Sequence, residues 1–170
     1  MKKLIKRREI PGGNPVSDNT LLDRLYRSRH IKNSQELDRT LQSMLNPNQL
    51  YGIQQAVNLL VDAYQQKQKI VIVGDFDADG ATSTALSVLA LCMLGFTDVE
   101  YLVPNRFEQG YGLSVPVAEM AMGKGVQLLM TVDNGVSSFE GVAYLIEQGV
   151  KVLITDHHLP PEILPNADAI

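Results

Sequence analysis

The rhythm of apolar and polar positions changes near residue 68. Before it, apolar residues recur at helical spacing. Leu21, Leu22, Leu25 and Tyr26 follow the polar run Ser17-Asp18-Asn19-Thr20, which supplies capping residues for a first helix. Asn33 or Ser34 can open a second, short helix carrying Leu37, Leu41, Met44 and Leu45, with Pro47 ending it. Ile53, Val57, Leu60, Val61 and Tyr64 share one face of a third helix over 53–64. The stretch Pro11-Gly12-Gly13-Asn14-Pro15 reads as a loop.

From Lys69 onward short apolar runs alternate with longer amphipathic ones. Strands are predicted at 70–73, 99–103, 127–132 and 150–155, and helices at 81–94, 115–122 and 139–148. Glycines close the helices at Gly95, Gly123 and Gly149. This β-α-β-α-β-α-β order predicts an α/β fold, a parallel sheet with flanking helices and right-handed crossovers, preceded by a helical segment. The expected organisation is a helical lead-in over 1–68 packing on a core domain over 69–170. Strands with no polar alternation fit burial on both faces.

Four polar clusters follow the four strands. They are Asp75–Gly80, Asn105–Gly112, Asp133-Asn134-Gly135 and Asp156-His157-His158. In a parallel sheet all four fall beyond the carboxyl ends of the strands, on the edge where open α/β sheets place ligands. The first carries three carboxylates, Asp75, Asp77 and Asp79, at alternate positions. Crowded carboxylates raise one another's pKa unless a cation intervenes, and an oxygen-rich set suits Mg²⁺ or Mn²⁺. An EF-hand reading fails, because the twelfth position is Leu86 and a strand precedes the loop. A haloacid-dehalogenase pattern fails for want of Thr or Val after the Asp pair. Asp133-Asn134-Gly135 taken alone is ordinary turn chemistry. Arg106 offers a fork for phosphate oxygens, and Gly110 and Gly112 permit close backbone approach.

Composition adds boundaries. The chain has 170 residues, 45% hydrophobic and 20% charged, which is ordinary for a globular domain. A formal net charge of −4 advertises no global field for a polyanion, although metal ions can supply positive charge locally. The basic start, Met1-Lys2-Lys3-Leu4-Ile5-Lys6-Arg7-Arg8, reads as a solvated end without the apolar stretch of a signal peptide. Cys92, the single cysteine, is expected to be a buried small hydrophobe, and no disulfide can form within the chain. No apolar run approaches the roughly 20 residues that span a bilayer, so no membrane association and a cytoplasmic location are expected.

Together, Gly74–Ser83, Pro104-Asn105-Arg106 with Gly110-Tyr111-Gly112-Leu113, Asp133-Asn134-Gly135 and Thr155-Asp156-His157-His158 resemble the DHH phosphoesterase superfamily. The wording is most similar to its branch of single-stranded-DNA-specific 5′→3′ exonucleases of bacterial repair and recombination. Pyrophosphatase and oligoribonuclease members typically carry a His four residues before the ligand Asp, where this chain has Val73.

The resemblance implies a two-metal phosphodiesterase using Mn²⁺ or Mg²⁺. Asp77 and Asp79 would each favour one ion and Asp133 would bridge them. His157 would be a further ligand, and Asp75 would supplement the first ion where Val73 cannot. His158 would contact the scissile phosphate, with Asp156 ligating or orienting its neighbours. Asn105, Arg106, Gly110 and Tyr111 would bind substrate. Implied partners are single-stranded DNA and, among proteins, repair and single-strand-binding factors. Family members of this branch are several times longer, so the resemblance implies an N-terminal fragment lacking a further Asp ligand and most of the DNA channel.

Overall fold

The computed structural model describes residues 4, 6, 9–105 and 107–170. Most of the basic start and Arg106 lie outside the described residues. The chain divides into two compact units, residues 1–46 and 47–170.

In the first unit α1 spans Thr20–Arg27. Asn19 caps it, its Oδ1 accepting from the amides of Leu21 (3.0 Å) and Leu22 (3.1 Å). The expected second helix is instead two isolated 3₁₀ turns, Ser34–Leu37 and Leu41–Ser43. Asp38 separates them: its backbone is extended and its Oδ1 accepts from the Thr40 amide at 2.9 Å. A local side-chain bond of this kind competes with the helical ladder.

In the second unit α2 spans Ile53–Gln65. Four parallel strands follow, β1 (Ile70–Val73), β2 (Val99–Leu102), β3 (Leu128–Val132) and β4 (Lys151–Thr155), in the order β2-β1-β3-β4. Between them run α3 (Ala78–Met93), α4 (Val115–Gly123) and α5 (Phe139–Glu147). A bridge from Leu153 to Ala169 extends the pairing beyond β4. The period of two sends Val71 and Val73 to one face, against Val117, Ala118 and Ala121 of α4 and Val142 and Leu145 of α5. Ile70 and Ile72 meet the other face, with Ala63 of α2 and Leu91 of α3. All four residues of β1 are fully buried, as a central strand covered on both sides requires.

Cys92 is exposed, contrary to expectation. The neighbouring Leu91 takes the inward position of α3, which turns Cys92 outward. Helix α3 also begins one turn earlier than the apolar pattern predicts, because Asp77 caps it. The chain leaves β1 outward to β2, then returns across β1 to β3. The strand order therefore reverses between β1 and β3, a topological switch point where a crevice opens above the sheet.

Candidate metal centre

The two loops flanking that crevice carry the acidic residues. Beyond β1, Asp75 is buried and its Oδ1 accepts from the Phe76 amide at 2.8 Å. Asp77 is the N-cap of α3, its Oδ1 accepting from the amides of Asp79 (3.1 Å) and Gly80 (3.0 Å). The Gly80 amide in particular holds the Asp77 carboxyl below its usual range, against the opposing effect of desolvation. Gly80 lies so close to the loop backbone that a Cβ there would stand 2.4 Å from the Asp75 carbonyl oxygen. Only glycine lets the helix start fold back on the loop at this point.

Asp133 follows β3 with φ +61°, in the left-handed region. Its amide donates to the Thr155 carbonyl at 3.1 Å, which anchors it to the end of β4. Burial pushes its carboxyl up, the Asp77 charge adds to this, and the contact with His157 opposes both. His157 Nε2 lies 2.8 Å from Asp133 Oδ1.

Asp156 organises the last loop. Its Oδ2 accepts from the Val136 amide (3.0 Å), and its Oδ1 from the amides of His157 (2.7 Å) and His158 (3.1 Å). Burial pushes this carboxyl up, but the donors outweigh it and the net effect is downward. The same Oδ1 meets His158 Nδ1 at 2.7 Å, which raises the basicity of that imidazole. With Nδ1 as donor, His158 turns Nε2 toward the Tyr111 hydroxyl, 3.4 Å away. Burial, and then the charges of Asp75, Asp156, Asp133 and Asp77, keep the Tyr111 hydroxyl protonated above its ordinary range.

Two donor sets result. Asp75, Asp77 and Asp133 offer ligand atoms all within 4.8 Å of one another, and so do Asp133, His157 and His158. Ligands about 2.1 Å from one octahedral ion stand roughly 3 to 4 Å apart, so each set is compact enough to close on a cation with small adjustments. Asp133 belongs to both sets. Carboxylates with imidazole fit Mg²⁺ and Mn²⁺.

Other sequence candidates sit differently. Asp79 is exposed in the first turn of α3, outside both donor sets, and lines a neighbouring groove with Thr82, Ser83 and His157. Asn105 shapes its own loop, its Oδ1 accepting from the Phe107 amide at 3.1 Å and its amide donating to Gln109 Oε1 at 2.8 Å. Gly110 (φ +81°) and Gly112 (φ +68°) provide left-handed turns on either side of Tyr111 and bring it to His158.

Asn134 was legible only as a turn residue, yet it is fully buried. Its Nδ2 donates to the carbonyls of Val73 (3.0 Å) and Val132 (2.9 Å), tying the ends of β1 and β3 together at the switch point. Beyond it, residues 135–141 and the Asp156–His158 pair border a cavity of about 520 Å³ next to the donor sets.

Residues 69–170 match the family described as the DHH family, N-terminal domain. The chain belongs to the DHH family. This DHH chain is 82% identical over 170 residues to the single-stranded-DNA-specific exonuclease RecJ of Haemophilus influenzae, covering 100% of this chain and 30% of the relative. It is 51% identical over 168 residues to RecJ of Escherichia coli, covering 98% of this chain and 29% of that one. Among solved structures, a manganese-bound RecJ exonuclease superposes with a TM-score of 0.66 at 37% identity, over 73% of this chain and 32% of the other. RecJ of Thermus thermophilus in complex with Mn²⁺ gives 0.62 at 33% identity, over 84% and 19%. The DHH chain thus spans about 30% of the length of these curated relatives. Among the described residues no helix is long and apolar enough to cross a membrane.

Proposed function

We propose that this chain supplies the metal-binding core of a two-metal phosphodiesterase that hydrolyses single-stranded DNA from its 5′ end to 5′-mononucleotides, in repair and recombination. The observation that carries this reading is Asp133 standing in both donor sets. Relatives and structural neighbours named as RecJ support the substrate class and the use of Mn²⁺. A cytoplasmic setting and single-strand-binding or repair proteins as partners accompany it.

In this reading Asp75, Asp77, Asp133 and His157 hold the ions, with Asp79 reaching in from the first turn of α3. A bound pair of divalent ions supplies nucleophile generation near neutral pH and neutralisation of phosphate charge. His158, oriented by Asp156 and made more basic by it, presents Nε2 toward a phosphate oxygen. Tyr111 offers its ring as a stacking face beside His158, a sequence-tolerant way to hold a base. Asn134 keeps the β1 and β3 loops at fixed separation, which preserves the spacing of the donors. Asn105 holds the substrate loop in shape, and Arg106 provides a phosphate fork.

The test is release of mononucleotides from labelled single-stranded and duplex oligonucleotides with Mn²⁺, by wild type and Asp133→Asn. Single-strand cleavage lost in the variant supports the reading. Pyrophosphate hydrolysis without attack on DNA points to another DHH phosphoesterase. Manganese binding without any turnover assigns the chain a metal-binding part only.

A further inference from the structure

The overall charge of −4 conceals a segregation. Residues 1–46 carry ten Lys and Arg against five Asp and Glu, a formal +5, whereas residues 47–170 carry five against fourteen, a formal −9. Four of the ten cations, Arg24, Arg27, Arg29 and Lys32, fall within nine consecutive residues.

The helix dipole accounts for part of this. Arg24 and Arg27 lie in the last turn of α1, where cations are favoured. Arg29 and Lys32 lie beyond the C-cap Ser28, outside the helix, and Lys32 is a full turn past it. Arg27 is a strut: it pairs with Asp23 at 3.5 Å and donates to the Pro11 carbonyl, tying the 11–14 loop to the helix exit. Arg24, Arg29 and Lys32 are exposed and have no ion pair among the described residues. The chain turns sharply after the helix, with His30 at φ +63° and its amide donating to the Arg27 carbonyl at 2.9 Å. Loop and turn enclose a cleft of about 350 Å³ bordered by Arg27, His30, Ile31 and Lys32 and by Pro11 to Asn14, with no Asp or Glu in its lining.

We propose that this cationic turn and cleft dock the phosphate backbone of a nucleic-acid strand. The inference rests on reading the substrate as a polynucleotide. Before metal is bound, the acidic second unit repels such a strand, and the first unit offers the opposite sign on the same chain. A cleft walled by Gly12, Gly13, Asn14 and Lys32 suits phosphodiester groups. Arg24 and Arg29, which lie outside its lining and carry no ion pair among the described residues, offer planar forks to neighbouring phosphates along a strand. Within the cleft itself, an acidic peptide anchored by apolar side chains would find only Pro11 and Ile31 to pack on.

The test is fluorescence anisotropy of the whole 170-residue chain with a labelled oligothymidylate of about 16 nucleotides, in EDTA, across a salt series. Each phosphate contact on a single strand contributes about −0.7 to the slope of log affinity on log salt. Arg24→Gln/Arg29→Gln/Lys32→Gln is therefore expected to flatten the slope by about 2 and to weaken low-salt binding by about tenfold or more. Arg24→Lys/Arg29→Lys should retain most of the affinity, and circular dichroism checks that each variant folds. Unchanged affinity and slope in the triple variant overturn the proposal. So does a Glu-rich peptide that binds this surface when the oligonucleotide does not. The readout needs neither metal nor cleavage. A chain that binds through these cations yet cleaves nothing with Mn²⁺ leaves the docking surface standing and removes only turnover by these 170 residues.

Discussion

His157 Nε2 stands 2.8 Å from Asp133 Oδ1, so a loop beyond β4 closes onto a carboxylate beyond β3. The two strands pair in register from Leu128 with Lys151 to Val132 with Thr155, which delivers both residues to one edge. The contact depends on sheet register and not on chain proximity. Asp133→Asn keeps the shape and removes a charge shared by both donor sets. Manganese affinity is expected to fall at least about 10- to 100-fold, the range seen when even outer partners of a ligand are lost. Isothermal titration measures it. The metal-free melting temperature should hold or rise, since a buried, destabilised charge is gone.

Asp156 satisfies three backbone amides and one imidazole. Asp156→Ala should cost about 1–3 kcal/mol, chiefly for the buried Val136 amide left without an acceptor. The His158 pKa should fall toward its ordinary value, because the Asp156 bond is the largest cause of its rise. The sign follows from linkage: a raised His pKa stabilises fully below the unfolded value and loses that contribution as pH climbs through the folded one. NMR titration of His158 in wild type and variant reads both effects, and an unmoved His158 would sink the assignment.

The sheet was readable in advance because its strands are short, mostly apolar runs alternating with longer amphipathic ones, with β1 apolar throughout. Ile70–Val73, four β-branched residues ahead of a glycine, reads as a buried central strand, and all four are fully buried. The acidic edge was readable for the same reason, since three carboxylates after such a run have no packing explanation. Asn134 escaped because its side chain resembles turn chemistry in sequence, and its role appears only when the Val73 and Val132 carbonyls converge. Asp38 likewise broke an expected helix through a bond to Thr40 that apolar spacing does not encode. Cys92 faces solvent although its neighbours are apolar, since helical phase next to Leu91 decides the matter.

Gly80→Ala is expected to disturb the centre without touching a donor. The added carbon meets the Asp75 carbonyl oxygen at 2.4 Å, and that atom is backbone with little room to yield. Displacement of the Asp75 loop from the α3 start should lower both the melting temperature and manganese affinity. Differential scanning calorimetry with and without Mn²⁺ separates the two losses.

At the opposite end of the sheet, Glu100 bridges Lys124 (2.7 Å) and Lys69 (2.5 Å). Hydrogen bonds from Lys124 and then Lys69 draw its pKa from 4.5 down to about 2. A depressed carboxyl stabilises above its unfolded pKa and loses that contribution as pH falls through the folded value. Glu100→Gln should therefore melt at a lower temperature near neutrality. The gap from wild type should narrow as pH drops from 4.5 toward 2. Thermal melts across that window check it, and a constant gap contradicts the ion-pair account. Because all three groups are partly solvent-exposed, added salt should shrink the difference.

The left-handed backbone at Asp133 sets the fold and the site against each other at one residue. Glycine occupies that conformation without steric penalty, and the chain would lose a buried carboxylate in the exchange. Selection for thermal resistance alone would therefore drift toward glycine here and remove the carboxylate that the two donor sets share. A library sorted only for stability would enrich sequences lacking the carboxylate common to both donor sets, so engineering of this protein has to hold position 133 fixed and look elsewhere for added robustness.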